Sequence, residues 1–241
     1  MSSPAVQSGE RLRVRDLPIR LFHWILVIAI AIAFLSSEED SGLNDWHVLS
    51  GWVAAALLVF RLVWGFVGGE HSRFANFLNF SGIRHHLGGL VRGKVEPTVG
   101  HNPLGAIAVI LLLLLVAVTI WSGAFLGEAG EDLHEVVAWT LLALVAVHML
   151  AVVFTSLLSR ENLVRAMIDG TKPKQRHPLA MDARRPGPMA FLLGAAAVTG
   201  ALYAIHIYDP DAFTLRTAES FEHRSGGQMT ASEITKAEEG D

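Results

Sequence analysis

Residues 132–154, DLHEVVAWTLLALVAVHMLAVVF, are apolar enough to cross a lipid bilayer yet carry two histidines, His134 and His148. Polar side chains are costly in hydrocarbon, so a lipid-crossing helix that keeps two of them points to function. An α-helix turns about 100° and rises about 1.5 Å per residue. The fourteen steps between the two histidines return to within about 40° of the starting direction and advance about 21 Å. His134 and His148 therefore share one helix face at two depths.

Working outward, four further segments, roughly 19–35, 46–67, 104–123 and 188–207, are long and apolar enough to be spans. A bilayer crossing takes about 17–25 such residues. With 134–157 they make five, and the 51% hydrophobic composition of the 241-residue chain is concentrated in them. The fold class is an all-α integral membrane protein. Short connections join the first span to the second and the third to the fourth. Two such hairpins assemble as an antiparallel four-helix transmembrane bundle, with the fifth transmembrane helix added to it. That fifth span, MAFLLGAAAVTGALYAIHI, is rich in small residues and suited to close packing on the bundle or on a partner subunit, as a homo-oligomer or hetero-complex. The first span, with arginines before it and AIA at 31–33, also looks like a signal peptide. Its apolar run is longer than a signal core and cleavage would delete His23, so it reads as a retained anchor.

Charge orients the spans. Arg11, Arg13, Arg15 and Arg20 precede or begin the first span, and Arg73, Arg84, Arg92 and Lys94 follow the second. Arg160, Arg165, Lys172, Lys174, Arg176, Arg184 and Arg185 follow the fourth, whereas SSEEDSGLNDW and GEAGEDL hold no Lys or Arg. Basic loops stay in the cytoplasm. The organisation expected is a polar, loosely ordered cytoplasmic segment 1–16, a four-helix core 17–160, a basic cytoplasmic loop 161–187, a fifth helix 188–208 and an acidic periplasmic tail 209–241. After the fourth span SRENLVRAMIDG reads as a helix leaving the membrane, and in the loop between the second and third spans FANFLNF at 74–80 reads as a segment along its surface. The chain has no cysteine, which excludes disulfides, thiolate-held iron–sulfur clusters and covalent c-type haem.

Four histidines lie in spans one, two and four. His47 and His134 fall at the outer level, His23 and His148 at the inner level. Two imidazoles from facing helices can hold an iron porphyrin between them, so each level is a candidate seat for one b-type haem. Single intramembrane histidines usually serve packing; two level pairs are harder to explain that way. Gly51 and Gly123 sit beside the outer ligands, where small residues leave room for a flat macrocycle. Arg61 lies fourteen residues beyond His47, on nearly the same face. It either meets a haem propionate or snorkels to headgroups, and Arg20 beside His23 faces the same choice.

Several motifs together resemble the bacterial cytochrome b561 family, which includes the b-type cytochrome subunits of membrane-bound nickel–iron hydrogenases. They are RLFHW at 20–24, HVLSGW at 47–52, RLVWG at 61–65, GHNPLG at 100–105, LHEVVAW at 133–139, AVHMLA at 146–151 and ENLVRAMIDG at 161–170. The resemblance covers about residues 14–210. It implies two non-covalent b-type haems, with His23, His47, His134 and His148 at ligand positions, and electron exchange with quinone as an exchangeable substrate. The fifth span is closer to the hydrogenase-type members than to the four-helix quinol- and superoxide-linked ones.

His101 and Asn102 open the third span and are read either as helix-start chemistry or as a quinone pocket wall. His85 and His86 are either solvated or part of a proton path to quinone. His206 is read as interfacial, and His71, His177 and His223 as surface residues. The function expected is a transmembrane electron relay between the quinone pool and a periplasmic redox protein of hydrogenase or c-type cytochrome class. The lipid membrane is its setting and nucleic acid is not a partner. Two imidazoles per iron leave no open position for oxygen. A superoxide:quinone or quinol-oxidising cytochrome without a dedicated partner is one alternative, although the outer loops lack the cations that would attract superoxide. A histidine-lined metal transporter is the other; it would want ligands gathered at one depth with carboxylates or sulfur.

Overall fold

The computed structural model describes residues 10–38, 43–77, 103–177 and 180–215. His85, His86, His101, Asn102 and His223 lie outside them. The chain is an all-α, five-span membrane protein, with one small strand pair among the described residues. In order, β1 is Arg11–Arg13, α1 Leu17–Leu35, α2 Asn44–Val67, α3 Pro103–Phe125, α4 Glu131–Ser159, α5 Leu163–Asp169, β2 Thr171–Pro173 and α6 Pro188–Tyr208. Helices α1, α2, α3, α4 and α6 are each long and apolar enough to cross a membrane. Phe74–Phe77 forms a single helical turn.

Local chemistry sets the helix ends. The Asp16 carboxylate accepts the Ile19 N–H at 3.0 Å, with Pro18 in the first turn of α1. Pro is suited to that position because its missing N–H would have no helical partner. At the other end the Ser36 N–H and hydroxyl both close on the Ile32 carbonyl, at 2.9 and 2.7 Å. Helix α4 stops where Arg160 turns left-handed at φ 52°. The helix expected within 161–170 forms as α5, capped by the Asn162 side chain on the Arg165 N–H at 2.8 Å and ended by Gly170 at φ 77°.

Helix α2 is the hub. It packs against α1 as a hairpin, against α6 along its length, and against α3; α3 and α4 form the second hairpin. Helix α4 meets the first hairpin through side chains, with Phe34 and Trp139 ring centroids 6.1 Å apart. Trp64, 1% exposed, joins Ile19, Phe22 and Ala190 in one apolar cluster, and Trp52 joins Ala56, Ile205 and Ala212 in another. Close approach of α6 requires Gly194, since a Cβ there would lie 3.1 Å from the Trp64 ring and 3.2 Å from Phe60. The opposite end is pinned by the Trp52 indole N–H donating to Asp209 at 2.9 Å and the Tyr208 hydroxyl donating to the Ala124 carbonyl at 2.8 Å.

The segment before α1 is not loosely ordered over its described residues. β1 pairs antiparallel with β2, Leu12 opposite Lys172, and Leu12 and Val14 are both 1% exposed. Alternate residues of a strand point the same way, so this short arm buries one apolar edge while its backbone is paired. The strand pair also places the residues before α1 and those after α4 on one side of the molecule. Four intervening spans require that.

Candidate functional site

With outer and inner taken from the charge pattern, His47 lies in the first turn of α2 and His134 in the first turn of α4, at the outer ends of both. Their ring centroids are 5.9 Å apart with the planes at 70°. The His47 Nδ1 is 2.9 Å from the Ala33 carbonyl oxygen, and the His134 Nδ1 is 2.9 Å from that of Thr119. A carbonyl only accepts, so each ring carries a proton on Nδ1, which leaves Nε2 as the nitrogen available to a metal in the neutral tautomer. Ala33 lies in the last turn of α1, where carbonyls lack helical partners, so the helix end supplies the acceptor, which the Ser36 hydroxyl reaches only at 3.5 Å.

Thr119 needs more explanation, because its carbonyl lies within α3. The fully buried Ser122 hydroxyl donates to it at 3.0 Å and stands 3.4 Å from the His134 Nδ1. Gly123 supplies the access: a Cβ there would sit 2.7 Å from the His134 Nδ1 and 2.8 Å from Cε1. The space at Gly123 is thus filled by the imidazole, rather than kept for a macrocycle as expected from sequence. Gly51 is different, since a Cβ built there meets nothing within 4 Å.

The outer pair fits a shared metal centre. A metal–imidazole bond is about 2 Å, and the ring centre lies about 1 Å beyond the nitrogen, so two axial imidazoles have centroids roughly 6 Å apart. The observed 5.9 Å agrees. The open space at Gly51 and the Nδ1–H···O=C bonds, which commonly orient metal-binding histidines, agree as well.

The inner pair is more open. His23 and His148 are both half-buried and interact electrostatically, but their rings do not touch. The His23 Nδ1 is buried without a hydrogen-bond partner, and its ring meets Trp24 edge-on at 5.1 Å. Arg20, one turn away, likewise has its Nε buried without a hydrogen-bond partner. An acceptor such as a carboxylate would satisfy it. Arg61 does not snorkel: it is 3% exposed, and its guanidinium lies 4.5 Å over the Phe74 ring, a cation–π arrangement.

Sequence reasoning missed Ala33, Thr119 and Ser122 as groups that set the imidazoles. Thr119 and Ser122 did leave a trace, as hydroxyls in an otherwise apolar span. It also missed an inner cap. Glu161 is 4% exposed; its carboxylate meets the His177 Nε2 at 2.9 Å and the Lys172 Nζ at 3.4 Å. His177 is therefore buried, at 6% exposed, not a surface residue. Burial lowers the Lys172 pKa, with Glu161 opposing, and lowers His71 against the pull of Glu70. Burial also brings Arg15 down to about 10 despite neighbouring Asp16.

The family model described as prokaryotic cytochrome b561 matches residues 14–170, which run from just before α1 to the end of α5. The chain is similar to a probable Ni/Fe-hydrogenase B-type cytochrome subunit of Rhizobium leguminosarum bv. viciae, 26% identical over 210 residues, covering 66% of this chain and 87% of that protein. The protein so named from Bradyrhizobium diazoefficiens is 24% identical over 221 residues, covering 68% and 90%. That from Rhodobacter capsulatus is 23% identical over 208 residues, covering 65% and 79%. No solved structure matches.

Proposed function

We propose, from the premise that this chain belongs to the prokaryotic cytochrome b561 family, that it is a di-haem electron-transfer subunit of the inner membrane. It relays electrons between a periplasmic redox partner, of hydrogenase or c-type cytochrome class, and the quinone pool. The hydrogenase class is favoured by the relatives, which are named as probable Ni/Fe-hydrogenase B-type cytochrome subunits. Spans α1 to α4, within residues 17–160, form the haem-binding bundle. The N-terminus is cytoplasmic and the acidic tail periplasmic, as the basic loops suggest. Residues 161–187 then face the cytoplasm, and α6 is the helix available to a partner subunit.

The observation that carries the reading is the outer histidine pair, 5.9 Å between centroids, with each Nδ1 on a backbone carbonyl. His47 and His134 would hold the outer haem, and His23 and His148 the inner one. A haem held by these histidines would supply a reversible one-electron couple. The Ala33 and Thr119 carbonyls fix the ring tautomers, and Gly123 lets the His134 ring reach its acceptor. Arg20 offers a donor to an inner propionate, with Arg61 as second candidate. His101, Asn102, His85 and His86 are proposed for quinone and its protons.

A partnerless superoxide- or quinol-linked role would keep the same histidines and differ at the outer face, where the short loops lack cations. A metal transporter is disfavoured because, among the described residues, no three His, Asp or Glu side chains gather as a cation cage. The test is spectral. Full-length protein made with ample haem is expected to be red, to hold about two haems per chain and to show low-spin b-type spectra. A colourless, folded preparation overturns the reading.

A further inference from the structure

Helices α1 and α4 carry the inner pair, His23 and His148, yet each packs mainly on another helix, α1 on α2 and α4 on α3. At the inner face they are joined by the cap. The Gly170 carbonyl accepts the Val14 and Arg15 N–H groups at 2.8 and 3.1 Å. The Trp24 indole, next to His23, donates to the Met167 carbonyl at 3.2 Å. β1 leads into α1, and β2 is reached from α4 through Glu161 and α5. The separation of the inner ends therefore depends on where β2 is held.

Glu161 holds it. The residue follows α4 by one position past Arg160, and its own N–H closes on the Ser156 carbonyl at 3.1 Å. Its carboxylate, 2% exposed, binds the Lys172 Nζ and the His177 Nε2, whose side chains are 7% and 3% exposed. Lys172 lies in β2 directly opposite Leu12 of β1. One buried carboxylate thus ties the end of α4 to the strand that is tied to the start of α1. Buried ionic groups depend strongly on their partners, and a satisfied polar cluster holds one arrangement.

We propose that Glu161, acting with Lys172, is a positioning residue for the inner haem: it fixes β2 and so sets the separation of His23 and His148. The proposal rests on the di-haem reading above. The experiment uses the full-length haem-loaded protein in lipid nanodiscs. It follows the ferric low-spin electron paramagnetic resonance signals and the midpoint potential of each haem, with the inner haem assigned as the one missing from His148→Ala. Glu161→Gln and Lys172→Gln are each expected to shift or abolish the inner signal and leave the outer one in place. Glu161→Asp should give a smaller shift in the same signal. Arg185→Gln, a change at an exposed residue away from the cap bonds, should move neither.

The two Gln variants also remove charges of opposite sign. Opposite shifts in inner potential with an unmoved resonance signal would mean a through-space charge effect and would overturn the proposal. So would inner and outer signals that both stay unchanged, or that fall together. Should Glu161→Gln not accumulate, Glu161→Asp and Lys172→Arg are read by the same criteria. Wild-type protein that binds no haem defeats the functional reading itself, before any variant is made.

Discussion

His134 reaches the carbonyl oxygen of Thr119 across Gly123. Its Nδ1 is 2.9 Å from that oxygen, and a methyl group on Gly123 would stand 2.7 Å from the same nitrogen. Gly123→Ala is therefore expected to push the ring off its acceptor and weaken outer haem binding by about 10–100-fold, the usual cost of losing an orienting partner. Haem titration of the apoprotein measures it. Inner-site affinity should stay at the wild-type value.

The histidine variants divide by level. His47→Ala and His134→Ala should each leave the inner haem, and His23→Ala and His148→Ala the outer. Each protein would then hold about half the wild-type haem, one axial pair of two being intact. Pyridine haemochrome content per chain and reduced-minus-oxidised spectra are the measurements. Complete loss from all four would sink the pairing by level.

Asp16 gathers four donors around one carboxylate: the Ile19 N–H at 3.0 Å, the Trp64 indole at 3.3 Å, the Gly69 N–H at 3.1 Å and the Ser72 hydroxyl at 2.8 Å. It caps α1 and binds the end of α2 to it. Asp16→Ala loses a cap worth about 1 kcal/mol and strands further donors. A loss of about 3 kcal/mol in stability is expected on that basis, visible as a lower melting temperature in detergent. Asp16→Asn, which keeps an acceptor oxygen, should lose less.

Asp169 makes the cap acid-sensitive. Burial raises its pKa, but hydrogen bonds from the Thr171 N–H and hydroxyl and from Arg165, with the charge of Arg11, outweigh it and leave the value below that of an ordinary aspartate. A depressed folded pKa means stabilisation present in full above the unfolded value and lost as pH falls through the folded one. The cap should accordingly stay closed through mild acid and open only below the usual carboxylate range. Hydrogen exchange at the Val14 and Arg15 amides, whose acceptor is Gly170, reports the opening. In Asp169→Asn exchange should be faster at neutral pH, with that acid step gone.

The membrane architecture was legible because its signal is long. The apolar block read as 134–157 is the middle of α4, Glu131–Ser159, and the N-terminal excess is the acidic first turn Glu131 and Asp132. Acidic residues suit a helix N-terminus, and a hydropathy reading stops short of them. The two depths of His134 and His148 followed from helical geometry alone. β1 did not, because three residues show no usable alternation and its partner lies far along the chain. Glu161 and His177 were hidden for another reason. In a basic loop, charged residues read as solvated, and only the tertiary fold reveals that the two bury each other. Gly123 was noticed for its small size, but its neighbour could not be told apart from sequence: a missing Cβ admits an imidazole as readily as a porphyrin edge.

The strand pair has a consequence for the order in which the molecule is assembled. Each helical hairpin joins neighbours in the chain, whereas the Arg11 side chain bonds Thr171 across 160 positions. Chains emerge N-terminus first, and distant contacts carry the larger closure cost. His47 can meet His134 as soon as the fourth span begins to enter the bilayer. The pairing of β1, which leads into the helix that carries His23, must wait until residues 171–173 have been synthesised. A chain stalled just after the fourth span would hold His47 and His134 together while β1 still lacked the strand it pairs with.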